Sequence, residues 1–145
     1  MKHEQKPNAF TIPVRIYYED TDAGGVVYYA NYLKFLERCR TEWLRAIGHD
    51  QADLLRDPGI AFVVRSVSLE YLKPARLDEQ LTVSLEVEKI TRSQIFFRQH
   101  IRRANLEGGW DELINGKIQI VCVNAAQMKI TSIPNPLRTK LEALQ

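Results

Sequence analysis

The fold of this chain is decided by residues 17–32, which read YYEDTDAGGVVYYANY. Two carboxylates, Asp20 and Asp22, precede a glycine pair, and acidic residues followed by glycine favour a turn. From Tyr29 onward, apolar and half-apolar residues recur at helical spacing and predict a long amphipathic helix that ends at Ile47. The stretch therefore places Asp20 and Asp22 in a turn directly before a helix.

The start of a helix is chemically useful because its first backbone N–H groups lack partners and carry a partial positive charge. A carboxylate beside these amides can act on a carbonyl group whose oxygen the amides hold. This arrangement predicts acyl-transfer chemistry that uses no serine nucleophile, metal ion or cofactor. The absence of a G-x-S-x-G motif from the sequence also argues against a serine hydrolase.

Length and composition are typical of one globular domain, with 145 residues of which 45% are hydrophobic and 26% charged. The formal net charge of +2 is too small to favour nucleic acid or an anionic membrane as a partner. No apolar run approaches the roughly 20 residues that span a bilayer, and residues 1–10 do not resemble a secretory signal. We therefore expect a single domain over residues 1–145 with a flexible leader at 1–12, a cytoplasmic location and no stable membrane insertion.

After the helix the apolar pattern changes to a period of two, which indicates strands. Strands are predicted at residues 14–18, 63–71, 81–87, 95–103 and 110–123, and a short surface helix at 134–145. Asn115-Gly116 normally favours a hairpin, but we expect a bulge or bend within one long strand there. One early helix followed by consecutive strands predicts an α+β fold.

Several chemically interesting residue types give structural predictions only. Cys39 and Cys122 are expected to be buried hydrophobes rather than a disulfide or a metal pair. Asp20 is expected to hold its loop, because a calcium loop would need an acidic residue where this chain has Asn31. The three histidines are scattered, so we assign none to catalysis and expect His100 to face solvent. We predict no metal site.

The residues from Val14 to Gly48 resemble the hotdog-fold acyl-CoA thioesterases of the 4-hydroxybenzoyl-CoA thioesterase type. Within that family they are most similar to the YbgC group, whose members are encoded with the bacterial Tol–Pal envelope system. The likeness covers most of the chain, from about Val14 to Pro134. It continues through Ala61–Arg65, Glu70-Tyr71, Pro74–Asp78 and Val121–Val123.

The resemblance implies a long central helix wrapped by an antiparallel sheet of about five strands, in dimers or tetramers with the active site at the dimer interface. It implies hydrolysis of an acyl-CoA thioester to a free acid and coenzyme A, without a further cofactor. The family's catalytic aspartate falls on Asp22, and the backbone amide that polarises the thioester carbonyl falls on Tyr29. Many YbgC members have a histidine at the position of Tyr29. Tyr18 matches a tyrosine often found near the aspartate.

The chemical role of Asp22 is left open by the sequence. Its carboxylate could attack the thioester carbon to give a mixed anhydride, or it could deprotonate a water molecule. In a purely structural role it would only cap the turn. The residues expected to line the substrate site beside the turn are Gly25, Val26, Val27 and Tyr28. For the phosphates of coenzyme A we expect contacts from Arg65, Ser66 and Arg92, since phosphates bind basic and polar groups.

Two other functions are compatible with the same fold. A non-catalytic module could bind acyl-CoA or acyl carrier protein and dock envelope or phospholipid-synthesis proteins, although such a binder has little use for Asp22. A hotdog dehydratase would need a histidine together with an acid, and no histidine lies in the turn or on the predicted helix. The identity of the acyl group, whether short, long or aromatic, does not follow from the sequence.

Overall fold

One antiparallel sheet and a single long helix dominate the structure, a computed structural model that describes residues 9–144. The strands are β1 (Phe10–Arg15), β2 (Ile60–Tyr71), β3 (Gln80–Ile90), β4 (Gln94–Ala104), β5 (Trp110–Asn124) and β6 (Lys129–Ile130). The helices are α1 (Asn31–Ala46), α2 (Gln51–Arg56) and α3 (Asn135–Glu142), and a 3₁₀ turn spans Tyr18–Asp20. Within the described residues the strand order is β1-β3-β4-β5-β2, β6 pairs with the end of β5, and all pairings are antiparallel.

The predicted α+β class is confirmed, because the sheet curls around α1 and buries that helix's apolar side. The buried residues of α1 are Tyr32, Phe35, Leu36, Cys39, Trp43 and Leu44. The ring of Trp43 packs edge-on against Phe97 of β4, with ring centroids 5.3 Å apart. Burying each large apolar side chain of this kind contributes about 1.5–3 kcal/mol to folding. The helical spacing in the sequence thus identified the side of α1 that faces the sheet.

The first strand begins earlier than predicted and ends before the tyrosine pair. β1 covers residues 10–15 rather than 14–18, so residues 10–12 of the predicted leader lie in the sheet. Residues 1–8 of that leader lie outside the described residues. The strand stops because Asp20 Oδ2 accepts a hydrogen bond of 2.8 Å from the backbone amide of Tyr17 and folds the chain into the 3₁₀ turn. Asp20 thus holds its loop, as predicted.

The helix begins two residues later than predicted, at Asn31. At the helix start the side chain of Asn31 donates a hydrogen bond of 2.9 Å from Nδ2 to the carbonyl oxygen of Asp20. The helix ends at Ala46, and Gly48 follows with a φ of +97°, the left-handed conformation that commonly terminates helices.

Asn115-Gly116 lies inside β5, so the prediction of one long strand rather than a hairpin is confirmed. The bulge that we expected there falls at Leu113, opposite the step between Ile101 and Arg102. The side chain of Leu69 packs directly over Gly116. A Cβ atom at that position would lie 2.7 Å from Leu69 Cδ2, which is too close. Glycine at this position therefore serves close packing.

A second bulge lies in β2 at Arg65, where the register shifts between Val64 and Ser66. The prediction that every second residue from 63 to 71 faces the same side of the sheet is therefore wrong. Val64 pairs with Ile120 and Val67 pairs with Ile118, which places both valines on the face that α1 covers elsewhere. They are nevertheless 50% and 41% exposed, on the edge strand of the sheet.

His100 does not project freely into solvent as predicted. Its Nδ1 contacts Oε1 of Glu112, and Arg102 Nε donates a hydrogen bond of 2.6 Å to the other oxygen of the same carboxylate. Arg102 is only 6% exposed. The alternation of basic residues along β4 could not predict this pairing, because the partner Glu112 lies on the neighbouring strand β5, beside the bulge.

The C-terminal helix α3 covers residues 135–142 of the predicted range, and Gln145 lies outside the described residues. It is more than a surface helix, since Leu137 and Leu141 are fully buried. Among residues 9–144, no helix is long and apolar enough to cross a membrane.

We expect both cysteines to be unreactive in the native protein. Cys39 and Cys122 are buried free thiols, and burial raises the pKa of Cys39 to about 12 and that of Cys122 to about 11. Because the thiolate is the reactive form, a water-soluble disulfide reagent should label neither residue at neutral pH until denaturant is added. A thiol titration with and without denaturant measures this. Rapid labelling of either cysteine in native buffer would contradict the prediction.

Candidate active site

The turn before α1 is a small hairpin. Thr21 pairs with Val27, the amide of Asp22 donates to the carbonyl of Val26 at 2.9 Å, and the amide of Tyr28 donates to the carbonyl of Asp20 at 3.0 Å. The tip is closed by a bond of 3.1 Å from the amide of Gly25 to the carbonyl of Asp22, and the φ of Gly25 is +79°. A residue with a side chain would be strained in that conformation. The sequence DAGG thus fixes the backbone around Asp22.

The carboxylate of Asp22 is exposed, and only one of its two oxygens accepts a hydrogen bond within residues 9–144. Its Oδ1 accepts a hydrogen bond of 2.8 Å from the amide of Gly24, two residues on. Within the described residues 9–144, its Oδ2 makes no hydrogen bond or ion pair. The carboxylate is therefore oriented by its own turn and keeps one oxygen available for chemistry. The turn-capping role and a chemical role coexist in this geometry.

The backbone amide of Tyr29 is also available. The neighbouring amides of Tyr28 and Asn31 donate to the carbonyls of Asp20 and Tyr28, respectively. The N–H of Tyr29 has no acceptor in the described part of the chain, and its carbonyl accepts a hydrogen bond of 3.4 Å from the hydroxyl of Tyr71. An unpaired amide just ahead of a helix can stabilise negative charge on a carbonyl oxygen.

A cavity of about 270 Å³ opens beside this amide. It is lined by Val27, Tyr29, Tyr32, Tyr71, Leu72, Lys73 and Pro74. The ring centroid of Tyr71 lies 6.3 Å from that of Tyr29 and 5.9 Å from that of Tyr32. Burial raises the pKa of Tyr32, so its phenol stays neutral, and its oxygen accepts a bond of 3.0 Å from the amide of Ala75. The cavity wall is mostly aromatic and apolar, which suits an acyl group.

The segment between β2 and β3 forms the far side of the hairpin. The amide of Val27 donates to the carbonyl of Ala75 at 2.9 Å, and Val26 pairs with Arg76. Because Asp22 lies opposite Val26 in the hairpin, the residues Asp22, Val26 and Arg76 lie side by side in three adjacent chain segments. Arg76, an exposed residue, is therefore a basic residue in the segment that pairs with the hairpin.

Of the residues predicted for the site, the hairpin brings six together: Asp22, Gly25, Val26, Val27, Tyr28 and Tyr29. Val27 is 4% exposed and borders the cavity, whereas Tyr28 is exposed and its ring packs on that of Tyr29 at 4.9 Å. Tyr18 lies in the 3₁₀ turn with 82% of its surface exposed, and it has no contact with Asp22 within residues 9–144. A role for Tyr18 beside the carboxylate therefore has no support in this chain alone.

The residues predicted to bind phosphates lie far from the hairpin. Arg65 and Ser66 sit at the β2 bulge, and Ser66 Oγ donates to Gln119 at 3.1 Å. Tyr71, which contacts Tyr29, is six residues beyond Arg65, roughly 20 Å along a strand. Arg92 lies between β3 and β4 and donates a hydrogen bond of 2.7 Å to Ser132. One chain alone thus does not unite these residues with Asp22.

Three residues next to the site were not predicted to belong to it. Tyr71 was predicted as a strand residue and Arg76 was named only within the Pro74–Asp78 part of the family resemblance, whereas Lys73 had no prediction. Lys73 lines the cavity, and its Nζ lies 3.4 Å from Asp111. Their proximity to the hairpin depends on pairing between segments about 50 residues apart in sequence, which no local pattern encodes.

A larger cleft, of about 660 Å³, lies between β1 and α1. Its lining includes Arg15, Asp20, Glu37, Arg38 and Glu42 but neither Asp22 nor Tyr29. Charges of both signs alternate along its walls, which gives it no clear preference for an acyl group. We therefore take the smaller, aromatic cavity as the candidate active site, because Tyr29, whose amide is unpaired within residues 9–144, lines it. Asp22 is not among the lining residues but lies on the same hairpin as Tyr29.

A curled antiparallel sheet around one helix is the hotdog arrangement. The oriented carboxylate and the unpaired amide on the hairpin before that helix are the groups that acyl transfer requires. The fold defines a hotdog protein, and this hairpin is its candidate site for chemistry on a carbonyl carbon.

Comparison with known proteins agrees with this class. A family model described as the thioesterase superfamily matches residues 24–108. The acyl-CoA thioesterase YbgC of Haemophilus influenzae is 40% identical over 138 residues, which are 95% of this chain and 98% of that protein. The chain therefore belongs to the thioesterase superfamily, and it is an enzyme of the thioesterase class related to the YbgC group.

Solved structures share the architecture. A probable thioesterase from Bartonella henselae is 31% identical with a TM-score of 0.80, covering 87% of this chain and 99% of that one. A mutant 4-hydroxybenzoyl CoA thioesterase complexed with 4-hydroxybenzoyl CoA is 18% identical with a TM-score of 0.84, covering 95% and 99%. At that low identity the second likeness shows the fold alone, and it is the fold predicted from the sequence.

Proposed function

We propose that this protein hydrolyses acyl-CoA thioesters to a free acid and coenzyme A, with Asp22 as nucleophile or general base. The observation that carries the proposal is the pairing of two unengaged groups on one hairpin: Asp22 Oδ2 and the N–H of Tyr29. The aromatic cavity beside Tyr29 receives the acyl group. The YbgC relatives named as acyl-CoA thioesterases support the choice of substrate.

Two chemical routes use the same groups. In the first, Asp22 attacks the thioester carbon, the C–S bond breaks, coenzyme A leaves as thiolate, and water then cleaves the mixed anhydride. In the second, Asp22 takes a proton from a water molecule that attacks the same carbon, and the C–S bond then breaks with coenzyme A leaving as thiolate. Both routes place negative charge on the carbonyl oxygen, where the N–H of Tyr29 donates a hydrogen bond. Removing one such donor costs about 3 kcal/mol of transition-state stabilisation in other enzymes.

The full site is proposed to need a second copy of the chain. Arg65, Ser66 and Arg92 lie far from Asp22 within one chain, and the outer edge of β2 carries the half-exposed Val64 and Val67. A homodimer formed along β2 would cover this apolar surface and bring basic residues of one copy towards the hairpin of the other. A homotetramer would be a pair of such dimers. Sedimentation or light scattering of the purified protein tests the assembly.

From the resemblance to the YbgC group we also propose where and with what the protein acts. It would act in the cytoplasm, in connection with the Tol–Pal envelope system, without a bound cofactor. Acyl carrier protein would be the alternative thiol carrier in place of coenzyme A. In the competing function, the same pocket binds acyl-CoA or acylated carrier protein without turnover and docks envelope or phospholipid-synthesis proteins.

The test is thiol release from a panel of short, long and aromatic acyl-CoAs, with acylated carrier proteins as a second panel. We expect turnover of at least one class of acyl-CoA well above the rate in buffer. The preferred acyl group then identifies the substrate class. Binding of a non-hydrolysable acyl-CoA analogue, without hydrolysis of any thioester in either panel, would overturn the enzyme proposal and establish the binding module.

A further inference from the structure

The segment of residues 74–79 holds the active-site hairpin from both sides of Tyr29. Before Tyr29, the amide of Val27 donates to the carbonyl of Ala75 at 2.9 Å. After Tyr29, the hydroxyl of Tyr32 accepts a bond of 3.0 Å from the amide of Ala75. Ala75 is fully buried. The position of the Tyr29 amide therefore depends on where the backbone of one buried alanine lies.

That backbone is itself held by a single guanidinium from β4. Arg103 Nη1 donates to the carbonyl of Pro74 at 3.2 Å and to both carboxylate oxygens of Glu79 at 2.8 and 3.0 Å. Glu79 Oε1 in turn accepts a bond of 2.7 Å from the amide of Arg76. The guanidinium thus secures the residue before Ala75 directly and the residue after it through Glu79.

Arg103 is anchored on its other side by β5. Its Nη2 donates to Asp111 Oδ2 at 3.0 Å, and its side chain is only 21% exposed. Burial lowers the pKa of Arg103, but the hydrogen bonds to Asp111 and Glu79 outweigh that effect and raise it, while Arg103 lowers the pKa of Asp111. The guanidinium and the carboxylate of Asp111 are therefore charged at neutral pH. Because Nη1 bonds to Glu79 and Nη2 bonds to Asp111, the plane of the guanidinium is fixed between the two carboxylates.

We propose that Arg103 is a positioning residue of the active site, which sets the place of the Tyr29 amide through Pro74, Glu79 and the backbone of Ala75. It does not touch the reacting atoms. Its effect rests on the proposed function in one respect, because the Tyr29 amide matters to turnover only if that amide stabilises the carbonyl oxygen. A shift of about 1 Å at such a donor can cost about 100-fold in rate.

The experiment compares Arg103→Gln with a matched control, Arg98→Gln. Arg98 lies on the same strand with a side chain 25% exposed, and it is also hydrogen bonded and ion paired, to Asn115 and Glu88. It makes no contact with residues 74–79 in the described part of the chain. The control therefore removes the same kind of interaction without releasing the segment.

Two readouts separate positioning from general destabilisation. For Arg103→Gln we expect kcat to fall by about 10- to 100-fold with KM nearly unchanged, and hydrogen exchange at the amide of Val27 to rise by about 10-fold or more. Arg103→Lys should recover part of both, because an ammonium keeps the charge but not the planar group whose two nitrogens bond to Glu79 and Asp111. Arg98→Gln should leave both quantities within about twofold of wild type.

Each outcome decides the proposal. Wild-type values of kcat and of Val27 exchange in a folded Arg103→Gln variant would overturn it, as would equal effects in the Arg98→Gln control. If Arg103→Gln does not fold, Glu79→Gln weakens the same contact and should raise Val27 exchange in the same direction. If the wild-type protein hydrolyses no thioester, the proposed function fails, and the exchange at Val27 still tests the structural link by itself.

Discussion

The variant Asp22→Asn should lose at least about 100-fold in kcat, with the dissociation constant of a non-hydrolysable acyl-CoA analogue changed by less than about threefold. Asparagine keeps a side-chain carbonyl oxygen that can accept the hydrogen bond from Gly24, so the hairpin should keep its shape. The amide side chain, however, is neither a base nor an effective nucleophile for a thioester. Steady-state kinetics on the best acyl-CoA, with calorimetric binding of the analogue, measure both quantities.

The matched control for this variant is Asp20→Asn on the same hairpin. Asp20 accepts a hydrogen bond from the amide of Tyr17, which an asparagine oxygen can also accept. We expect its kcat to stay within about threefold of wild type. Retention of wild-type turnover by Asp22→Asn would exclude both proposed roles of the carboxylate. Loss of analogue binding would instead assign Asp22 to structure or binding.

The second large effect is expected from Tyr29→Pro, which removes the backbone N–H itself. That amide has no acceptor within residues 9–144, so its removal breaks no hydrogen bond of the described structure. If it stabilises the carbonyl oxygen in the transition state, kcat/KM should fall by about 100- to 1,000-fold. The measurement is again thiol release from the preferred acyl-CoA, supported by circular dichroism to verify that the helix is retained.

Two further variants at Tyr29 separate the amide from the side chain. Tyr29→Ala removes the ring but keeps the N–H, and Tyr29→His introduces the residue found in many YbgC members. We expect both to retain kcat/KM within about 10-fold of wild type, because the donor is unchanged. If Tyr29→Ala loses as much activity as Tyr29→Pro, the phenol rather than the amide carries the effect, and the proposed oxyanion contact is wrong.

Most of the fold was accessible from local sequence patterns because those patterns determine burial. The helical spacing of apolar residues in α1 and the alternation in β3 each identified the face that packs in the core. The errors fall where a single contact between segments overrides the pattern. The bond from the Tyr17 amide to Asp20 ends β1 early, and the bulges at Arg65 and Leu113 shift parity within strands that otherwise alternate.

The candidate site was predictable to the extent that it is built from consecutive residues. The hairpin from Asp22 to Tyr29 forms as one unit, so its motif and the resemblance identified it directly. The surrounding parts come from elsewhere in the chain: Tyr71 from the end of β2, Ala75 from the following segment and Arg103 from β4. Their contributions depend on three-dimensional pairing, for which the sequence contains no local signal.

The two outer strands of the sheet differ in a way that limits how far the sheet can be extended. The amide of Ile16 donates to Glu79, so alternation along β1 turns the backbone of Pro13 outward, where proline offers no N–H. At the opposite end β2 presents a 12-residue outer edge. A further strand can therefore pair along β2 but not regularly along β1. If two copies of the chain pair through β2, each has used the edge that accepts a strand, so no third copy can add to the sheet and no filament forms.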